Sequence, residues 1–205
     1  MDKGKEQMKR ITEYLPDAVI DLKYAGTDNF AERVFYPPGF EALLAAEAVD
    51  KLVEADRLLK TLYPGFRFVI WDAARPHVVQ QALFEVVRGT EQEKYIAHPD
   101  AGSLHNYGCA IDIGILDEHG RELDMGTVYD FFGALAEPAA EITFLHEGIL
   151  SSEALRNRLL LRHVMVAAGF QPIPHEWWHF NHCPLDTAKQ RYPRWDKADV
   201  PFISK

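Results

Sequence analysis

The sequence is poor in the features that would place it in several large classes. Two cysteines, Cys109 and Cys183, among 205 residues are too few and too far apart for a disulfide framework, which points to a reducing compartment. No stretch approaches the roughly 18 consecutive apolar residues of a membrane span. Residues 1–15, MDKGKEQMKRITEYL, carry charge throughout and contain no apolar h-region. Neither membrane insertion nor export is expected, and the expected location is cytoplasmic. Basic charge is also in deficit: 22 Lys plus Arg stand against 31 Asp plus Glu, a net −9, with the cations scattered. Nucleic acid and anionic membrane are therefore poor partners. Internal repeats and low-complexity tracts are absent, and nothing in the composition fixes an oligomeric state.

What remains is an ordinary globular composition, 47% hydrophobic and 12% aromatic, in a chain long enough to bury roughly 70% of its unfolded surface. A single domain over residues 1–205 is expected. Residues 18–24 alternate as a half-buried strand. Residues 40–62 carry apolar side chains at three- and four-residue steps (Leu44, Ala48, Leu52, Ala55, Leu59 and Leu62) and predict a long amphipathic helix stopped by Pro64-Gly65. A strand over 67–71 and a helix from Pro76 to Gly89 follow. Residues 90–108 have neither period and read as a long loop. Residues 109–116 form the clearest strand, with a second near 121–123. A helix capped by Ser151 or Ser152 runs to Gly169 through Leu155, Leu159, Val164 and Ala168, and a last strand is expected around 177–180. This irregular order suggests an α+β fold, a small mainly antiparallel sheet packed against helices.

Nine histidines are present, so combinations must discriminate. On the 109–116 strand, Cys109, Ile111, Ile113 and Ile115 face one way while Ala110, Asp112 and Gly114 face the other. Asp112 thus has small neighbours that leave room for an ion, and Gly108 lets His105 swing back over the strand. Such a hard oxygen and imidazole suit Zn²⁺; an Asp in a solvent-facing hydrogen bond is the bland alternative. The segment His175-Glu176-Trp177-Trp178-His179 spells H-E-x-x-H. That motif requires a helix, and Pro172, Pro174 and Pro184 leave too little chain for one. We read it as a loop entering a strand, with Glu176 and His179 the active pair and His175 a bystander; an aromatic core strand with a satisfied His competes. Arg75, in Trp71-Asp72-Ala73-Ala74-Arg75-Pro76, either presents its planar fork to an oxyanion or pairs with Asp72.

Together these segments resemble the D-alanyl-D-alanine dipeptidase family of VanX-like zinc peptidases. The resemblance rests on W-D-x-x-R-P, on S-x-H-x-x-G-x-A-I-D from Ser103 to Asp112, and on E-W-W-H from Glu176 to His179. It extends to Asp21-Leu22-Lys23-Tyr24-Ala25, Met125-Gly126-Thr127 and Asp130-Phe131, and to the stretch from Asn157-Arg158 to Gly169-Phe170. It implies a fold related to the D,D-carboxypeptidases and Hedgehog, and one zinc per chain held by His105, Asp112 and His179. It further implies Glu176 as catalytic base and Arg75 as oxyanion stabiliser. The substrate would be a small D,D-dipeptide whose ammonium meets Asp130 with Tyr24 nearby, and Ser103 would be a polar contact. Tyr129 stands where the pattern leads us to expect Phe, adding a hydroxyl near the ammonium site. The loop from Thr90 to Gly102 is expected to help exclude longer peptides. Two alternatives are a D,D- or L,D-carboxypeptidase or endopeptidase on cell-wall peptides, and a metal-stabilised binding module without catalysis.

Overall fold

A computed structural model describes residues 8–196; residues 1–7 of the charged N-terminal stretch lie outside them. The chain begins with strand β1 (Met8–Arg10) and the short helix α1 (Ile11–Tyr14), then β2 (Val19–Ile20), β3 (Leu43–Ala45), the long helix α2 (Ala46–Leu62) and β4 (Arg67–Asp72). Helix α3 (His77–Val87), β5 (Ala110–Leu116), α4 (Glu141–His146), α5 (Ser152–Ala167), β6 (Gln171–Pro172), β7 (His179–Asn181) and α6 (Leu185–Arg191) complete the order. The main sheet runs β2-β4-β5-β7-β6, antiparallel except for the β2–β4 pair, and β1 and β3 form a separate antiparallel ribbon. The fold is α+β, as the patterning predicts.

Strand β5 is central and buried along its whole length, which excludes the solvent-facing reading of Asp112. Helix α2 buries Ala48, Val49, Leu52, Ala55 and Leu59, the stripe its periodicity predicts, and packs against β4 and α5. Helix α5 is capped by Ser151, whose Oγ accepts the Ala154 N–H at 2.9 Å.

Several boundaries differ from expectation for local physical reasons. Residues 18–24 yield a strand of only two residues: Asn29 Nδ2 donates to the carbonyls of Lys23, Gly26 and Arg33, and these side-chain bonds hold a tight turn in place of a ladder. The helix predicted from residue 40 begins at Ala46, because Leu43–Ala45 pairs with β1, and Leu62 is 51% exposed. The strand expected at 121–123 is reduced to one isolated pairing, Leu116 with Glu122, as the Asp117 carboxylate gathers the N–H groups of His119 and Arg121 into a turn. On α5 the buried face passes through Arg158, while Leu159 is 47% exposed.

Candidate metal centre and active site

Sheet register places the first two donors. In the antiparallel ladder Asp112 is the partner of Asp72 on β4 and of His179 on β7, and directly opposed residues share a face. The register shift between Ile70 and Asp72 makes Trp71 a bulge, bringing Asp72 opposite Asp112. The third donor, His105, comes from a 3₁₀ turn at Leu104–Tyr107 within the long loop. Ser103 caps that turn, its Oγ accepting the His105 N–H at 3.3 Å, while Asn106 Oδ1 accepts the Ser103 N–H at 2.9 Å. Gly108 ends it at φ +64°, where an added Cβ would lie 2.9 Å from the Ala45 nitrogen.

The three donor atoms converge. His105 Nε2 lies 3.2 Å from His179 Nδ1 and 3.5 Å from Asp112 Oδ1, and His179 Nδ1 lies 2.9 Å from that oxygen. The outer ring nitrogens have acceptors of their own: His105 Nδ1 is 2.6 Å from the Ala73 carbonyl, and His179 Nε2 is 2.7 Å from Asn181 Oδ1. Assigning each ring proton to its outer nitrogen leaves two imidazole lone pairs and a carboxylate oxygen facing one another with no proton to share. Such an arrangement calls for a cation. Tetrahedral zinc with bonds of about 2.0–2.1 Å sets its donor atoms about 3.3 Å apart, and the observed separations bracket that value. Among the described residues this trio is the cluster of His, Cys, Asp and Glu side chains able to hold a metal. Asp112 is 3% exposed, and a carboxylate so buried needs a compensating positive charge.

Glu176 sits in the loop before β7, its Oε2 3.7 Å from His179 Nδ1. Burial pushes its carboxyl up to about 7. No helix forms over 175–179, and exposed His175 is not among the donors. Arg75 Nε and Nη2 donate to Asp72 Oδ2 at 2.8 and 2.5 Å, and Nη1 donates to Gln80 Oε1 at 2.8 Å. Its pairing with Asp72 is therefore observed, and three of its five donors are used. Tyr36 supports the pair from behind, donating to Asp72 Oδ1 at 2.6 Å. Asp130, at φ +58°, accepts from Tyr24 OH at 2.9 Å, and burial, reinforced by Asp112, pushes its carboxyl up to about 8. Tyr24, Arg75, Ser103, Asp130, Glu176 and the three donors all line one cavity of about 260 Å³. Tyr95, Ile96, Ala97 and Gly102 of the long loop form part of its wall.

Two details correct the residue-level reading. The space over Gly114 is not left for an ion: a Cβ there would lie 2.3 Å from Cη2 of Trp71, whose indole fills it. The Tyr129 hydroxyl donates to Asp112 Oδ2 at 3.0 Å, so it serves the donor carboxylate. Asn181, Tyr36 and Gln80 escaped the sequence reading. Only Asn181 carried a usable signal, two residues from His179 and so on the same strand face.

The model of the D-Ala-D-Ala dipeptidase family of M15 peptidases matches residues 5–198. The chain belongs to this family. The D-alanyl-D-alanine dipeptidase of Escherichia coli (strain K12) is 34% identical over 165 residues, covering 80% of this chain and 79% of its own. That of Enterococcus faecium is 28% identical over 182 residues, covering 78% and 83%. Among solved structures, the vancomycin-resistance D,D-pentapeptidase VanY from a VanB-type cassette, a mutant in complex with Zn(II), aligns with TM-score 0.39 and 14% identity over 76% of this chain and 82% of its own. As a member of the dipeptidase family the chain is a zinc metallopeptidase. Among the described residues no helix is long and apolar enough to cross a membrane.

Proposed function

We propose that the chain, acting as one domain in the cytoplasm, hydrolyses free D-alanyl-D-alanine, with one zinc held by His105, Asp112 and His179. The observation that carries this is the convergence of three donor atoms beside Glu176 in a cavity of about 260 Å³, below the roughly 300–1,000 Å³ of pockets for drug-sized ligands. Zinc bound there supplies Lewis acidity and brings the pKa of a water down to about 7. Every other part falls to the protein. Glu176, poised near neutrality by burial, takes the proton of the attacking water and returns it to the departing amine. Arg75, its fork fixed by Asp72 and Gln80, offers its two remaining donors to the carbonyl oxygen as it becomes negative, worth roughly 3 kcal/mol per donor in comparable sites. Asp130, oriented by Tyr24, receives the substrate ammonium, whose charge offsets the burial that otherwise favours the neutral acid. Ser103, besides capping its turn, offers its hydroxyl to the substrate. A dipeptide has little apolar surface, so its two charged ends must supply most of the recognition.

The test is a panel of D,D-, L,D- and L,L-dipeptides and N-acetyl-D-alanyl-D-alanine with the zinc-loaded enzyme. Cleavage confined to free D,D-dipeptides is expected. Preference for the blocked peptide would overturn the reading in favour of a carboxypeptidase.

A further inference from the structure

At the Asp130 end of the cavity, three aromatic rings from three separate segments meet. Tyr95 lines the cavity of about 260 Å³ that holds the donors. Phe30 lines a second, larger cavity of about 670 Å³. Phe132 touches both rings: it stacks on Tyr95 with centroids 5.4 Å apart at 22°, and meets Phe30 at 5.1 Å and 61°. Asp130, two residues earlier, borders both cavities. Phe132, which lines neither cavity itself, therefore packs between a wall residue of one and a wall residue of the other, two positions along the chain from Asp130.

The flanking segments are fixed in place. Asn157 Nδ2 donates to the Asp124 carbonyl at 2.8 Å, Arg158 Nε to the Met125 carbonyl at 2.6 Å and Trp177 Nε1 to Thr127 Oγ1 at 2.7 Å. Across the contact, Gln80 Nε2 donates to the Ala97 carbonyl at 2.7 Å while its Oε1 accepts from Arg75. The segment bearing Tyr95 is thus tied to the guanidinium of the site. These bonds hold residues 124–127 on one side of the contact and Ala97 on the other.

We propose that Phe132, bridging Tyr95 and Phe30, is a specificity-determining partition: it closes the reaction cavity just beyond the substrate's amino group and so confines hydrolysis to dipeptides. This rests on the reading of Asp130 as the ammonium site. A peptide extended at its amino end would need its preceding residue to pass Asp130 into the second cavity, and the Tyr95–Phe132–Phe30 cluster packs between the two. Removing the ring takes away the packing behind Tyr95 and Phe30 and lets the wall at the amino end give way, the geometry a carboxypeptidase requires.

The test compares kcat/KM for D-alanyl-D-alanine with kcat/KM for release of the terminal residue from L-alanyl-D-alanyl-D-alanine, in zinc-loaded wild type, Phe132→Ala, Tyr95→Ala and Phe132→Tyr. The tripeptide-to-dipeptide ratio is expected to rise at least tenfold in Phe132→Ala, to rise in Tyr95→Ala, and to stay at the wild-type value in Phe132→Tyr. Tyr95→Ala carries the test should Phe132→Ala fail to fold. An unchanged ratio in the alanine variants that fold, with the dipeptide still cleaved by wild type, overturns the partition alone. A wild-type enzyme that leaves D-alanyl-D-alanine intact removes the functional reading and the partition together.

Discussion

The donor side and the amino end of the cavity are built by different means. Asp112 and His179 are set opposite each other by the β5–β7 register, and the remaining protons of both imidazoles are anchored by Ala73 and Asn181. The amino end has no ladder. Tyr24, Asp130 and Tyr95 stand on turns and loops, and what holds the segment around Asp130 is a set of side-chain bonds from Asn157, Arg158, Trp177 and Tyr24. The difference teaches that metal-binding geometry, which tolerates errors of only tenths of an ångström, is assigned here mostly to backbone pairing. On the proposed reading, substrate fit falls to loops, which vary at less cost to the fold.

Substitutions that act on one region and spare the other sharpen this division. The largest effect is expected from Glu176→Ala, which should lower kcat by about 10³-fold while metal analysis still finds one zinc per chain; loss of the metal would put Glu176 in the donor region and break the division. Next, Asn181→Ala removes the acceptor that orients His179 and should weaken zinc binding by roughly 10- to 100-fold, read by competition with a chelator, leaving KM at saturating zinc close to wild type. Thr127→Val frees the Trp177 indole N–H on the other side and should do the reverse, raising KM about fivefold, the order expected from losing one hydrogen bond of roughly 1 kcal/mol, with zinc affinity unchanged. Crossed outcomes would show that the two regions act as one.

A separate effect, on stability and not on activity, lies behind the donors. Burial, with Lys51 adding to it, holds His182 down to about 4, below the unfolded value of about 6.5. The unfolded chain therefore binds the extra proton between those values, so stability is greatest above pH 6.5 and declines as pH falls toward 4. Wild type should lose about 2 kcal/mol more than His182→Gln between pH 7 and pH 4.5, measured by urea unfolding at the two pH values.

How much of this was legible depended on how local its cause was. The alternation of β5, the Ser151 cap of α5 and the Leu52, Ala55 and Leu59 stripe of α2 are properties of short windows, and they can be read from the residues. Prolines on both sides of Glu176 were enough to exclude a helix there. The β1–β3 ribbon was not legible, because Leu43–Ala45 becomes a strand only through pairing with Met8–Arg10, more than thirty residues distant. The four-residue turn carrying His105 is too short to show a period. Tyr36 and Gln80 look like ordinary residues until the fold brings Asp72 and Arg75 to them. Arg158 enters the sequence reading only through the family resemblance, and its bond to the Met125 carbonyl comes from the fold.

The most direct test of the account is anomalous diffraction at the zinc edge from crystals of the zinc-loaded protein. A single strong peak is predicted, within bonding distance of His105 Nε2, His179 Nδ1 and Asp112. A principal peak on His175 or His182, or none within reach of Asp112, would contradict it.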